Sequence, residues 1–224
     1  MIVGKLKDVA EIKEMLPEDI ESLLIIGCGT CVSVSLAGGE REANSLRDLL
    51  ELYYSSQGQD VRVNATTIKR QCDDEFIETE ELSIEGHDVV LSLACGVGVQ
   101  HLGIKHPEKI ILPGVNTTFY GRNADVGEWE EMCLGCGDCI LDDFAGVCPV
   151  ARCSKSLIHG PCGGSQDGKC EVDDEIDCGW ELIYNRAEDT GQLDRLLEYE
   201  GPKDWSTYRD GGVRSHKNPE FFSE

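Results

Sequence analysis

The sequence has 224 residues, 20 basic and 43 acidic side chains, and a formal charge of −23. A chain of this length forms one large or two small domains, and its acidity leaves no basic footprint for nucleic acid or anionic lipid. No run approaches about 18 apolar residues, and the first 20 residues alternate charged and apolar side chains instead of forming a signal-peptide core. The sequence therefore predicts a cytoplasmic protein with no membrane insertion.

The first 119 residues alternate predicted strands and helices. In chain order these are a helix at Val9–Met15, a strand at Ser22–Gly27, a helix at Glu40–Tyr54, strands at Val61–Ile68 and Val89–Ala94, a helix at Val97–Ile104 and a strand at Lys109–Val115. Residues 71–86 are acidic and fit no single pattern. Strands that alternate with helices indicate right-handed crossovers and a parallel sheet covered on both faces. We therefore predict an α/β, flavodoxin-like domain over residues 1–120.

The composition changes near residue 120. Residues 121–180 are rich in glycine, cysteine and acidic residues, which predicts a small ferredoxin-like module organised by metal. Residues 181–224 form the third predicted segment, a helix followed by a docking tail. An apolar stripe over Trp180–Tyr199, interrupted near Gly191, indicates the helix. The tail, with the aromatic residues Trp205, Tyr208, Phe221 and Phe222, is either disordered or an arm that docks on a partner or on the chain itself.

Twelve cysteines are the most unusual feature of the composition. In a secreted chain this density would indicate a disulfide scaffold, but here the cysteines occur in CxxC-type clusters and no secretory signal is present. Clustered thiols in a reducing compartment are better explained as metal ligands.

Four of the cysteines follow predicted strands of the α/β domain. Cys28 and Cys31 come directly after the first strand, Cys72 a few residues after the second, and Cys95 directly after the third. Because the carboxyl ends of parallel strands share one edge of a sheet, the four thiols can converge there. Iron–sulfur clusters and tetrahedral zinc both accept four thiolates. The alternative, a thioredoxin-like redox pair at Cys28 and Cys31, leaves Cys72 and Cys95 unexplained.

The other eight cysteines lie between residues 133 and 178. Cys133, Cys136 and Cys139 form a CxxCxxC motif, and Cys148-Pro149 follows, which together resemble a ferredoxin signature. The remaining four, whose gaps fit iron–sulfur or zinc, are Cys153, Cys162, Cys170 and Cys178. Twelve cysteines divide into three tetrads, so we predict three [4Fe–4S] clusters, with zinc as the alternative for one site. Spacing alone does not divide the eight cysteines between two sites.

Several of these motifs resemble a known family. They are Cys148-Pro-Val-Ala-Arg-Cys153, Gly160-Pro-Cys162-Gly-Gly, Gly168-Lys-Cys170-Glu-Val and Asp177-Cys178-Gly-Trp180-Glu-Leu-Ile-Tyr184. Together they are similar to the cysteine-rich, C-terminal domain family of methylenetetrahydrofolate reductase. Gly27-Cys-Gly-Thr-Cys31 with Gly38-Gly-Glu40 looks like the small iron–sulfur subunit of acetogen-type enzymes. The chain departs from the family pattern at His159, where asparagine usually precedes Gly-Pro-Cys.

The resemblance implies a role and a set of ligands. The eight cysteines from Cys133 to Cys178, together with Cys28 and Cys31, would bind the clusters. The predicted ligand role of Cys72 and Cys95 depends instead on their position at the edge of the sheet. The chain would be a non-catalytic redox subunit that receives electrons from a low-potential donor protein. It would pass them to the flavin of a partner, the catalytic subunit of methylenetetrahydrofolate reductase. The alternatives are a zinc-binding assembly subunit without electron transfer, and a thiol oxidoreductase that acts through Cys28 and Cys31.

Overall fold

The computed structural model describes residues 1–199, 201–209 and 212–221, apart from the side chains of residues 80–82 and 220, and it divides the chain into two compact units. The units are residues 1–130 and 131–224, so the boundary lies about ten residues after the one predicted near residue 120. Within the described ranges, no helix has both the length and the apolar character needed to cross a bilayer.

The first unit contains seven strands, the last of which continues into the second unit, and six helices. The strands are β1 (Ile2–Leu6), β2 (Ser22–Cys28), β3 (Arg62–Ile68), β4 (Val89–Ser92), β5 (Ile110–Pro113), β6 (Val115–Asp125) and β7 (Glu128–Cys133). The helices are α1 (Val9–Met15), α2 (Cys31–Val34), α3 (Glu40–Ser56), α4 (Asp74–Ile77), α5 (Glu81–Glu85) and α6 (Gly96–Lys105). The ambiguous region 71–86 thus forms two short helices joined by a 3₁₀ turn at Glu78–Glu80.

The main sheet is parallel, with four strands in the order β3-β2-β4-β5, which confirms the predicted α/β class. Every residue of β2 is buried, because helices cover both faces of the sheet. Leu23 and Ile25 pack with Leu46 and Leu50 of α3 on one face. Successive side chains of a strand point to opposite faces, so Ile26 packs on the other face, with Leu102 of α6 among others.

A second sheet of the first unit was not predicted. It has the order β1-β6-β7, and β1 pairs antiparallel with β6. The predicted strand Lys109–Val115 is wrong at its carboxyl end, because the chain leaves the parallel sheet after Pro113 and Val115 pairs with Leu6 instead.

The second unit is built from short elements. They are α7 (Pro149–Arg152), β8 (Lys169–Cys170), β9 (Asp173–Asp177) and α8 (Gly179–Asp189), followed by 3₁₀ turns at Leu193–Leu197, Trp205–Thr207 and Pro219–Phe221. The single helix predicted over Trp180–Tyr199 therefore ends early, before the predicted interruption at Gly191, which has a φ of +68°. Phe222, one of the tail aromatics, lies outside the described residues.

Candidate metal centres

The first candidate centre lies at the carboxyl edge of the parallel sheet. Cys28 is the last residue of β2, Cys31 begins α2, and Cys95 precedes the first residue of α6. Numbered within the sheet, the strand order is 2-1-3-4, so the connections change direction between β2 and β4. In open α/β sheets ligands bind outside the strand ends at this switch point. The structure places Cys28 and Cys95 on its two sides.

The thiols of this group influence one another. Burial is the main cause that raises the pKa of the Cys72 thiol, and the neighbouring thiols of Cys28 and Cys95 raise it further. Negative charge on three close sulfurs is mutually repulsive, and a bound cation or iron–sulfur core would offset that repulsion. The coupling of these three free thiols, Cys28, Cys72 and Cys95, therefore suits a thiolate-bound metal.

A buried glutamine, which the sequence did not single out, holds this edge together. Gln71 is fully buried, and its amide nitrogen donates to the carbonyl oxygens of Ile26 and Gly27, both at 2.9 Å. Its amide oxygen accepts a 2.6 Å hydrogen bond from the hydroxyl of buried Ser92. Gln71 thus joins the ends of β2 and β4 to the loop that carries the next residue, Cys72. The only available sequence signal was a polar residue directly before a candidate ligand.

The second candidate centre contains the CxxCxxC motif. Cys133 ends β7, and its sulfur accepts a 3.3 Å hydrogen bond from the backbone N–H of Gly135. Gly135 and Gly137 have φ values of +62° and +92°, a backbone conformation that glycine adopts without steric cost. Cys148 caps the first turn of α7, with Pro149 at its first position.

The third candidate centre concerns the last four cysteines, which spacing alone did not separate from the other four. One small cavity of about 20 Å³ is lined by four cysteines, Cys153, Cys162, Cys170 and Cys178. Cys153 follows α7 and Cys178 precedes α8, and these two ends approach closely at Gly179. A Cβ at Gly179 would lie 2.4 Å from the carbonyl oxygen of Arg152. The four cysteines that line this cavity are therefore candidates for one shared site.

Hydrogen bonds favour the charged form of one thiol in this cavity. The Ser154 hydroxyl, 3.4 Å from the Cys170 sulfur, is the main cause that lowers the pKa of Cys170, and the backbone N–H groups of Val172 and Asp173 lower it further. Such donors to a thiolate are typical of metal-bound cysteines. Trp180, whose indole N–H donates to the Leu157 carbonyl at 2.8 Å, closes one side of the cavity.

All twelve cysteines are free thiols. Over residues 1–199, 201–209 and 212–221, no three Cys, His, Asp or Glu side chains are arranged so that they could hold a metal ion. The ligand role of the cysteines therefore stays a prediction. His159 lies in a loop, with its Nε2 atom 3.3 Å from the carbonyl oxygen of Gly201.

Comparison with known proteins gives one match. Neither the curated proteins nor the solved structures contain a significant match to the chain. Residues 112–206 match the family model described as "Methylene-tetrahydrofolate reductase C terminal". The matched segment includes all eight cysteines of the second and third centres and less than half of the chain, and it leaves the first centre outside. By this match, residues 112–206 are similar to the C-terminal region of methylenetetrahydrofolate reductase.

Proposed function

We propose that this chain is an iron–sulfur electron-transfer subunit that serves the flavin of a partner methylenetetrahydrofolate reductase. The observation that carries the proposal is the family match over the eight cysteines of the second and third centres, one set of which lines a single cavity. Iron–sulfur clusters, when bound, supply the storage and transfer of single electrons. A low-potential donor would deliver two electrons in succession, and two protons would accompany them to the partner's flavin.

The chain's own residues would hold and tune these groups. The loops after β2, β3 and β4 would hold a cluster at the switch point of the sheet through Cys28, Cys31, Cys72 and Cys95. Backbone N–H groups, such as that of Gly135 to the Cys133 sulfur, stabilise negative charge on sulfur. The tetrads Cys133, Cys136, Cys139, Cys148 and Cys153, Cys162, Cys170, Cys178 would hold the other two.

Metal analysis of anaerobically purified chain tests the proposal. Three [4Fe–4S] clusters predict about 12 iron atoms and 12 acid-labile sulfide ions per chain, with absorption at about 400 nm that dithionite bleaches. Cys72→Ser, Cys136→Ser and Cys162→Ser should each remove about four iron. Cys162→Ser with Cys178→Ser should remove no more than either change alone, whereas Cys136→Ser with Cys162→Ser should remove about eight. A chain without iron and sulfide would overturn the proposal.

Zinc at the third centre is the second candidate. The small cavity favours it, because four cysteine sulfurs about 2.3 Å from one ion need little space. In that case the native chain would contain about eight iron and one zinc, and Cys162→Ser would remove the zinc and leave the iron. A colourless chain that contains only zinc would instead support an assembly subunit without electron transfer.

The partner is tested separately. Affinity capture of the tagged native chain from its own source, followed by mass spectrometry, should recover a flavoprotein. Recovery of iron-loaded chain without any flavoprotein would preserve the redox role and remove the link to the reductase.

A further inference from the structure

The polar tail of the chain lies along the CxxCxxC loop of the second unit. Three tail side chains donate to backbone carbonyl oxygens of this loop: Lys203 to Asp138, Thr207 to Cys136 at 3.0 Å, and Arg214 to Gly135 at 2.9 Å. The approach is close, since a Cβ at Gly137 would lie 2.4 Å from the carbonyl oxygen of Thr207. Four consecutive residues of the motif, 135–138, therefore meet the tail.

Lys203 is the unusual member of the three. Its side chain is only 2 % exposed although it belongs to a polar tail, and its ammonium group also lies 3.1 Å from the Asp138 carboxylate. The same ammonium lies 5.7 Å from the centre of the Trp205 ring. A lysine is buried this far only where partners offset the cost of removing its charge from water. The position of Lys203 is thus fixed at Asp138, the residue directly before Cys139.

The tail also determines the direction of the peptide groups in the loop. In a trans peptide the C=O and the following N–H point in opposite directions. Because the tail binds the carbonyl oxygens of residues 135, 136 and 138, it directs the N–H groups of Cys136, Gly137 and Cys139 away from itself. The carbonyl oxygen of Asp138 also accepts a 3.3 Å hydrogen bond from the Cys136 thiol, so Lys203 binds a group that itself contacts a sulfur of the motif.

We propose that Lys203 positions the Cys133–Cys139 loop and that its charge raises the reduction potential of the cluster bound there. The inference rests on the proposed function. A cluster with thiolate ligands gains one negative charge when it accepts an electron, so a fixed cation favours the reduced form and a fixed anion opposes it. Lys203 forms an ion pair with Asp138 of the motif. Removal of the lysine lowers the local charge by one unit, and removal of the aspartate raises it by one unit.

The test is a redox titration of the anaerobically purified full-length chain, followed by electron paramagnetic resonance, with dithionite as reductant. Lys203→Gln should increase the ratio of oxidised to reduced cluster at a fixed potential severalfold, where tenfold corresponds to about 59 mV for one electron. Asp138→Asn should shift the ratio in the opposite direction, the double variant should return near the native value, and Lys203→Arg should retain it. Arg209→Gln removes an exposed cation of the same tail and serves as the matched control.

Iron content separates the possible results. If Lys203→Gln retains iron and leaves every potential unchanged, or if Arg209→Gln shifts the potential equally, the inference is wrong. A purely structural role would make the double variant lose the most iron, which also overturns the charge argument. If the native chain contains no iron or sulfide, the proposed function itself fails. A failure of this inference alone leaves native iron content and dithionite bleaching intact.

Discussion

Replacement of Gln71 by leucine should destabilise the first unit without a large change of side-chain volume. Gln71 is fully buried and makes three hydrogen bonds, two to carbonyl oxygens at the end of β2 and one from Ser92. Leucine cannot make any of them. The helix α6 packs directly on this residue, since a Cβ at Gly98 would lie 2.9 Å from the Cβ of Gln71.

The loss of unfolding free energy depends on how many buried polar groups the Gln71→Leu change leaves without a hydrogen bond. Each lost hydrogen bond removes about 1 kcal/mol, and a buried polar group left without a partner costs about 1–3 kcal/mol. The carbonyl of Ile26 keeps the bond that it accepts from the Leu93 N–H at 2.8 Å, so only part of this penalty applies. We therefore expect a loss of about 3 kcal/mol, a large fraction of the roughly 5–15 kcal/mol that stabilises a typical domain.

Urea unfolding under reducing conditions measures this loss. With a slope of about 2 kcal/mol per molar urea, the midpoint should fall by about 1.5 M, and hydrogen exchange should accelerate in β2 and β4. The matched control is Gln100→Leu. The Gln100 amide also donates to a backbone carbonyl, that of Gly96 at 2.9 Å, but on an exposed face, so we expect a change within about 0.5 kcal/mol.

Two results would refute the reasoning. One is a Gln71→Leu variant as stable as Gln100→Leu. The other is strict additivity with Ser92→Ala, because residues that share a hydrogen bond should show coupling of about 0.5 kcal/mol or more. Iron content provides the link to function, since Gln71→Leu should weaken iron binding at the first centre, whereas Gln100→Leu should not.

Further predictions concern a carboxylate and two glycines of the first unit. Hydrogen bonds, first from the Ser22 hydroxyl, lower the pKa of Asp88 from its ordinary 3.8, so this carboxylate stabilises the fold at neutral pH and the effect is lost as the pH falls through the lowered value. In urea unfolding, the stability difference between native chain and Asp88→Asn should therefore be present at pH 7 and vanish well below about pH 4; a difference independent of pH would contradict this. Gly38→Ala should cost about 3 kcal/mol or more, because its Cβ would lie 1.9 Å from the Leu93 carbonyl oxygen. A Cβ at Gly103, within α6, would meet open space, so Gly103→Ala should instead stabilise the first unit by about 0.5–1 kcal/mol. If both glycine changes shifted the unfolding midpoint equally, the close approach at Gly38 would not be the cause of its cost.

The parallel sheet was predictable because burial on both faces produces continuous apolar runs. Ser22–Cys28 and Val89–Ser92 carry that signal, and the structure places both strands at the centre of the sheet. The sheet β1-β6-β7 was missed because its strands bury few of their residues, so neither an apolar run nor a clear alternation marks them. Val115–Asp125, the longest strand, buries only Val115 and Gly121.

The candidate centres could also be predicted only in part from the sequence. The cysteine motifs were visible because thiols in clusters are rare, and the edge of the sheet follows from the strand pattern. The set of cysteines that lines one cavity was not predictable from spacing, because it depends on the path of glycine-rich loops. Gln71 and Lys203 were missed for a related reason: polar side chains are usually solvated, and their burial depends on contacts far along the chain.

Both missed residues act on the backbone of cysteine loops and not on the thiols. Gln71 binds the carbonyl oxygens of residues 26 and 27, and Lys203 binds that of Asp138. A cluster with thiolate ligands is anionic, so it is stabilised by N–H groups and opposed by carbonyl oxygens that face it. The carbonyl oxygen of Asp138 lies 3.3 Å from the Cys136 sulfur, so a donor such as Lys203 that binds this oxygen reduces its repulsion of an anionic group. For this reason we expect that the twelve cysteines, transplanted with their spacing alone into another scaffold, would bind iron more weakly than a transplant that also includes Gln71 and Lys203.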